Sequence, residues 1–115
     1  IYHLHQSARP AELAISLFGF GLTPFAVDAA CVSSLYVLDL ACQTLWRNDA
    51  DAMIAMGVNR SEMVALQVGF SQLGAYFKQG QCLPFDDSAD GLVVGEGGGA
   101  LVLKKLSKAQ ADGDK

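Results

Sequence analysis

Between Val32 and Arg47 the sequence places apolar residues around most of a helical circumference. Beyond the first turn, the polar side chains reduce to Asp39, Gln43, Thr44 and Arg47. Asp39, Gln43 and Arg47 recur at i, i+4 and i+8, so they form one narrow stripe. A helix apolar nearly all round is a buried helix. It needs cover on more than one side, and 115 residues can scarcely supply that cover alone. The charge content agrees. Eight Lys and Arg with twelve Asp and Glu make 17% of the chain, against roughly 25% in ordinary soluble domains. A small domain has more surface per residue and needs more charge, not less. The chain is therefore expected to be part of something larger, or an obligate oligomer.

With 51% apolar residues, intrinsic disorder is excluded. A net charge of −4 argues against electrostatic nucleic-acid binding. The chain starts at Ile1 rather than Met, so the parent's true N-terminus is expected to lie outside it, and no signal peptide is visible. Asp28, Asp39, Arg47 and Asp51 interrupt every apolar run before it is long enough to span a membrane. Cys31, Cys42 and Cys82 are odd in number and form no CxxC. On one helix, Cys31 and Cys42 would stand about 16 Å apart, beyond the roughly 7 Å a disulfide tolerates. A reduced, cytoplasmic protein is expected.

Helical spacing of Leu13, Leu17 and Phe20 predicts a helix over Ala11–Phe20, with Pro10 in its first turn and Gly19 and Gly21 ending it. After the break at Thr23-Pro24, Phe25–Val27 reads as a short strand, and Ala52–Met56 as a second one. Glu62–Phe77 is weakly helical. Leu92–Val94 and Ala100–Leu103 read as two strand pieces joined by Gly95–Gly99, and Ser107 is expected to cap a last helix that Gly113 ends. Strands alternating with helices predict an α/β architecture.

Several motifs fail on their mechanics. Gly95-Glu-Gly97-Gly-Gly99-Ala100 satisfies G-x-G-x-x-A, but an apolar β-branched run follows instead of the helix N-terminus that would receive a pyrophosphate. Asp86-Asp-Ser88-Ala-Asp90-Gly91 resembles half a calcium loop, yet position 12, where a bidentate Glu belongs, is Gly97. His3 and His5 form an H-x-H without a third ligand nearby. No metal site is expected. Asp86, Asp87, Asp90 and Glu96 form an acidic cluster, which reads as a solvated loop or as a polar loop beside an active site.

Cys31 is the strongest position. It lies between the apolar run ending at Val27-Asp28 and the long helix. A thiol there meets the positive end of the helix dipole and free backbone N–H groups. Both favour a thiolate, and the N–H groups can also receive an oxyanion. The alternative is that Cys31 is a small core residue, as Cys42 and Cys82 are read. Ser33 and Ser34 are expected to hydrogen-bond at the helix start.

Val27-Asp-Ala-Ala-Cys31-Val-Ser-Ser34-Leu resembles the active-site segment of β-ketoacyl synthases, usually Asp-Thr-Ala-Cys-Ser-Ser. Ala55-Met-Gly57-Val-Asn59 is similar to the family's Ala-Gly-Gly-Val-Asn. Gly69-Phe70-Ser71 and the stretch from Gln81 through Pro84-Phe85-Asp86, Asp90-Gly91 and Gly95-Glu96-Gly97 follow in the family's order. The resemblance covers residues 10–115 and is closest to type I polyketide or polyunsaturated fatty-acid synthases.

It implies a thiolase-like, layered αβαβα fold, of which residues 1–115 would form most of the N-terminal half, in a domain that dimerises. It implies an acyltransferase performing a decarboxylative Claisen condensation, with Cys31 accepting the acyl group and its N–H forming part of an oxyanion hole. The partners would be acyl carrier protein bearing acyl and malonyl thioesters on phosphopantetheine, with no tightly bound cofactor. Phe70 would border the acyl pocket, and Phe85, Asp86, Asp90 and Gly91 would belong to a mobile loop near the site. Ala29 replaces the usual Thr, and Val32 replaces the usual Ser or Ala, which bears on acyl-chain preference. The family's two catalytic histidines lie downstream of the matched segments, so the isolated chain is expected to be inactive. Retention of Cys31 argues against a chain-length-factor homologue. A noncatalytic dimerisation or scaffold remnant of the same fold is the alternative; an unrelated cysteine hydrolase is a third reading.

Overall fold

A computed structural model describes residues 9–21, 24–61, 63–78 and 81–114. The chain divides into two compact units. One runs to Met56 and resumes at Ala100; the other is Gly57–Gly99. His3 and His5 lie outside the described residues.

In the first unit, α1 is Arg9–Phe18, with Glu12 in its first turn, where the helix dipole favours an acid. Gly19 stops it. Its φ of +68° is left-handed, and its N–H closes on the Ile15 carbonyl at 2.8 Å. The helix thus ends two residues before the expected Phe20. Phe25–Val27 is not a strand. A strand is completed by a paired neighbour, and no described segment pairs with these residues.

A short 3-10 turn, Ala30–Val32, leads into α2, Ser33–Trp46. Its polar stripe is partly realised: Gln43 Nε2 donates to Asp39 Oδ2 at 2.6 Å, while Arg47 turns away to Asp49 at 2.9 Å. Asn48 then takes a left-handed φ of +62° and breaks the helix. Only Ala41 and Leu45 of α2 are buried. Leu35, Tyr36 and Trp46 are 66%, 50% and 71% exposed, so the helix keeps uncovered apolar surface, as expected of a chain too short to cover it.

Strand β1 is Ala52–Asn59 and β2 is Gly97–Lys104; they pair in a two-stranded sheet. Asn59, ending β1, donates to the Gly95 carbonyl just ahead of β2, and Gly98 lies against Val58, so the strands run antiparallel. Both strands are longer than the sequence predicts. β1 continues through Gly57, and β2 begins within the glycines instead of after them. Helix α4, Leu106–Asp112, starts from Lys105 with no side-chain cap, so Ser107 lies inside it rather than capping it. Gly113, at φ +76°, ends it as expected. Lys104 bridges to Asp112 and Asp114 at 2.5 and 2.6 Å, and Lys108 to Asp112 at 2.8 Å.

In the second unit, α3 is Val64–Gln72, shorter than the expected Glu62–Phe77 because Gly74, at φ +64°, turns the chain out. The chain then extends, and Tyr76 and Leu92 form an isolated parallel bridge. Leu92 N–H donates to the Ala75 carbonyl at 2.9 Å, and Phe77 N–H to the Leu92 carbonyl at 3.1 Å. Leu92–Val94 is this bridge and its continuation, not a strand. Among the described residues, Phe77 is the buried apolar residue of this unit, and Ala55 joins Ala41 and Leu45 in the first. Among the described residues no helix is long and apolar enough to cross a membrane.

Candidate active site

Cys31 sits in a turn whose shape comes from two polar neighbours. Asp28 Oδ1 accepts from the Ala30 N–H at 3.0 Å. Ser33 Oγ accepts from the Ala29 N–H at 2.9 Å and donates to the Ala30 carbonyl at 2.6 Å. The Val32 N–H donates to the Ala29 carbonyl at 3.2 Å. Between these bonds Ala30 adopts φ +51°, a left-handed conformation that costs a residue with a Cβ about 1–2 kcal/mol. Such a conformation persists only when its surroundings over-determine it.

The consequence is presentation. Cys31 is exposed and free, at the start of a 14-residue helix, in the way strained turns present nucleophiles ahead of helices. Its own N–H has no acceptor among the described residues. An exposed thiol and an unused amide donor therefore belong to one residue, at the positive end of α2. Ser33 hydrogen-bonds at the helix start, as the sequence predicts. Cys42, half-buried on α2, and Cys82, exposed, are also free.

The remaining candidates belong to the second unit. Phe70, on the second turn of α3, packs its ring 6.0 Å from that of Tyr76. With Met63, Leu66, Leu92 and Val94 they line a groove of about 240 Å³, whose polar rim is Asn59, Arg60, Ser61 and Gly95. The Tyr76 hydroxyl is buried without a hydrogen-bond partner among the described residues.

Phe85 and Asp86 occupy a tight turn. Phe85 is fully exposed at φ +66°. Asp86 Oδ1 accepts from the Ser88 hydroxyl at 2.5 Å and the Ser88 N–H at 2.8 Å, and these bonds, the hydroxyl first, hold its carboxyl below the usual range. Asp90 accepts from the Lys78 N–H at 3.4 Å. Gly91 is fixed by close approach: a Cβ there would stand 2.5 Å from both Phe77 N and Tyr76 C. Glu96 Oε1 accepts from the Ser61 hydroxyl at 2.6 Å and the Ser61 N–H at 3.0 Å. The hydroxyl bond is again the larger cause of its lowered carboxyl.

Asp86, Asp90 and Glu96 thus each close a different contact rather than converging on one point. Among the described residues no three His, Cys, Asp or Glu side chains gather as a metal site would require. In the sequence Glu96 is visible only as one acid of a cluster. Its partner Ser61 carries no signal there, because their contact crosses 35 positions.

Residues 3–109 match the family model of the β-ketoacyl synthase N-terminal domain. The chain belongs to the β-ketoacyl synthase family. One phenolphthiocerol/phthiocerol polyketide synthase of Mycobacterium tuberculosis is 52% identical over 90 residues, 78% of this chain and 5% of that protein. The norsolorinic acid synthase of Dothistroma septosporum is 43% identical over 100 residues, covering 84% of this chain and 4% of that one. The chain therefore spans about a twentieth of the length of such relatives.

Among solved structures, the oxazolomycin ketosynthase domain of Streptomyces albus JA3453 superposes with a TM-score of 0.82 at 36% identity, over 91% of this chain and 18% of that one. The ketosynthase from module 6 of the Bacillus subtilis 168 bacillaene synthase gives 0.83 at 35%, over 91% and 19%. The fold is accordingly thiolase-like, in the partial form of a ketosynthase N-terminal domain. The matched span contains Cys31, Phe70, Phe85, Asp86, Asp90, Gly91 and Glu96.

Proposed function

We propose that this chain supplies most of the N-terminal half of a ketosynthase domain in a polyketide or fatty-acid synthase, a cytoplasmic acyltransferase that extends acyl chains by decarboxylative Claisen condensation. The observation that carries the reading is the braced turn presenting Cys31, within the segment shared with the family. The Cys31 thiolate attacks the carbonyl carbon of an acyl thioester carried on the phosphopantetheine of an acyl carrier protein. The carbonyl electron pair moves to oxygen, where the Cys31 N–H donates to it. Collapse expels the pantetheine sulfur as a thiolate, which takes up a proton, and leaves an acyl-Cys31 thioester.

Malonyl-carrier protein then loses CO2. The resulting enolate carbon attacks acyl-Cys31, the carbon–sulfur bond breaks, and Sγ leaves as the thiolate. The product is a β-ketoacyl thioester on the carrier protein. Phe70 borders the acyl chain, and the turn from Phe85 and Asp86 to Asp90 and Gly91 shifts as substrate enters. The family resemblance puts two charge-stabilising histidines later in the parent sequence. Phosphopantetheine arrives on the carrier protein and is not a resident cofactor, and the domain works as a homodimer.

The test is malonyl-dependent turnover in the parent synthase. Wild type is expected to form β-ketoacyl-carrier protein, and Cys31→Ala to lose this by at least about a thousandfold. Release of free acid without malonyl would show a hydrolase. No turnover and no acyl adduct would leave a scaffold role.

A further inference from the structure

Ser61 stands between the end of β1 and the start of α3, and each of its polar atoms is engaged. Its N–H and hydroxyl both donate to Glu96 Oε1; its carbonyl accepts from Gln67 Nε2 on α3. Glu96 directly precedes β2, so its backbone is anchored at the start of a paired strand. One residue earlier, the Gly95 carbonyl accepts from Asn59 Nδ2 at 2.6 Å. Helix α3 has no side-chain cap of its own at Met63, so the Ser61 contacts tie its first turns to the sheet.

Gln67 and Phe70 stand three residues apart on the same short helix, Gln67 bordering a groove with Val64 and Val68 and Phe70 a second one. Ser61, Gly95 and Phe70 line the same groove. Ser61 thus both borders the groove that Phe70 lines and is bonded to the helix that carries Phe70.

We infer that Glu96 is a positioning residue, holding α3 through Ser61 and so setting where Phe70 stands and which acyl chains the ketosynthase accepts. The inference rests on the proposed function, in that Phe70 must border the acyl chain. It adds a determinant that touches neither the sulfur nor the chain. Glu96→Gln keeps a carbonyl oxygen able to accept both Ser61 donors, whereas Glu96→Ala removes the acceptor. Ser61→Ala removes only the hydroxyl bond.

The experiment uses the parent synthase and measures Cys31 acylation rates with acetyl and octanoyl pantetheine thioesters by intact mass spectrometry. Loss of one or two hydrogen bonds predicts a shift of about three- to tenfold in the octanoyl-to-acetyl rate ratio for Glu96→Ala. Ser61→Ala is expected to shift it less, in the same direction, and Glu96→Gln to restore it to within about twofold of wild type. If Ser61→Ala and Glu96→Ala lower both rates equally and leave the ratio unchanged, the inference is overturned, since that is what a merely structural role does. If Glu96→Ala does not fold, the Ser61→Ala ratio decides alone. Absence of Cys31 acylation in wild type would instead strike at the proposed function.

Discussion

Ala30 carries the strain of the site and Ser33 supplies its restraint. A left-handed alanine is stable here because the Ser33 hydroxyl both accepts from Ala29 and donates to Ala30. Ser33→Ala removes both bonds while leaving Cys31 in place. In the parent synthase it is expected to slow Cys31 acylation by about tenfold or more, read by intact mass spectrometry. An unchanged rate would mean that the turn holds itself. Gly91 has the opposite character, since its need is for space. An added Cβ would meet backbone atoms of Tyr76 and Phe77 at 2.5 Å, and neither can rotate away. Gly91→Ala should destabilise the parent domain by about 3 kcal/mol, in the range of overpacking, as measured by denaturant unfolding. The placement of Cys31 just ahead of a long helix is legible in the sequence. The left-handed Ala30 is not, because alanine has no preference that announces it.

The elements divide by how local their causes are. Helix α2 is legible because 3.6-residue periodicity and a helix start are properties of neighbouring residues, as are the glycine stops at Gly19 and Gly113. Phe25–Val27 and Leu92–Val94 look like strands in the sequence and are not, because an apolar run cannot say whether a partner lies beside it. The contact joining α3 to β2 is long-range for the same reason, and it makes a pH prediction. Hydrogen bonds from Ser61 place the folded-state carboxyl of Glu96 below its ordinary value of 4.5. A depressed carboxyl stabilises the fold above the unfolded-state value, and the contribution fades as pH falls through the folded-state value. The stability difference between wild type and Glu96→Gln, measured in the parent domain, is thus expected to change in wild type's disfavour below about pH 4.5. A difference constant from about pH 6 to about pH 3 would contradict the Ser61 contact.

At the scale of the whole molecule, the low charge content has a structural counterpart. Ala41, Leu45, Ala55 and Phe77 are the buried apolar residues among those described, while Leu35, Trp46, Val64 and Leu101 remain exposed. An apolar helix with so little cover does not sustain a cooperative core. The isolated chain is expected to show a broad, non-cooperative thermal transition or to associate. A sharp transition from a soluble monomer would refute that. The missing charge and the all-round apolar helix make this legible in the sequence, because composition reports on burial wherever the covering surface comes from. How the acids are used is not legible there, since Asp86, Asp90 and Glu96 look alike in sequence and take different partners in space.

The central proposal is that Cys31, one of three free cysteines, accepts the acyl group. The most direct measurement is peptide mapping by tandem mass spectrometry of the parent synthase after incubation with an acyl pantetheine thioester. The expected result is the acyl mass on the peptide containing Cys31, absent from Cys31→Ala, with Cys42 and Cys82 unmodified. Acylation at Cys42 or Cys82 that persists in Cys31→Ala, with none at Cys31, would contradict it.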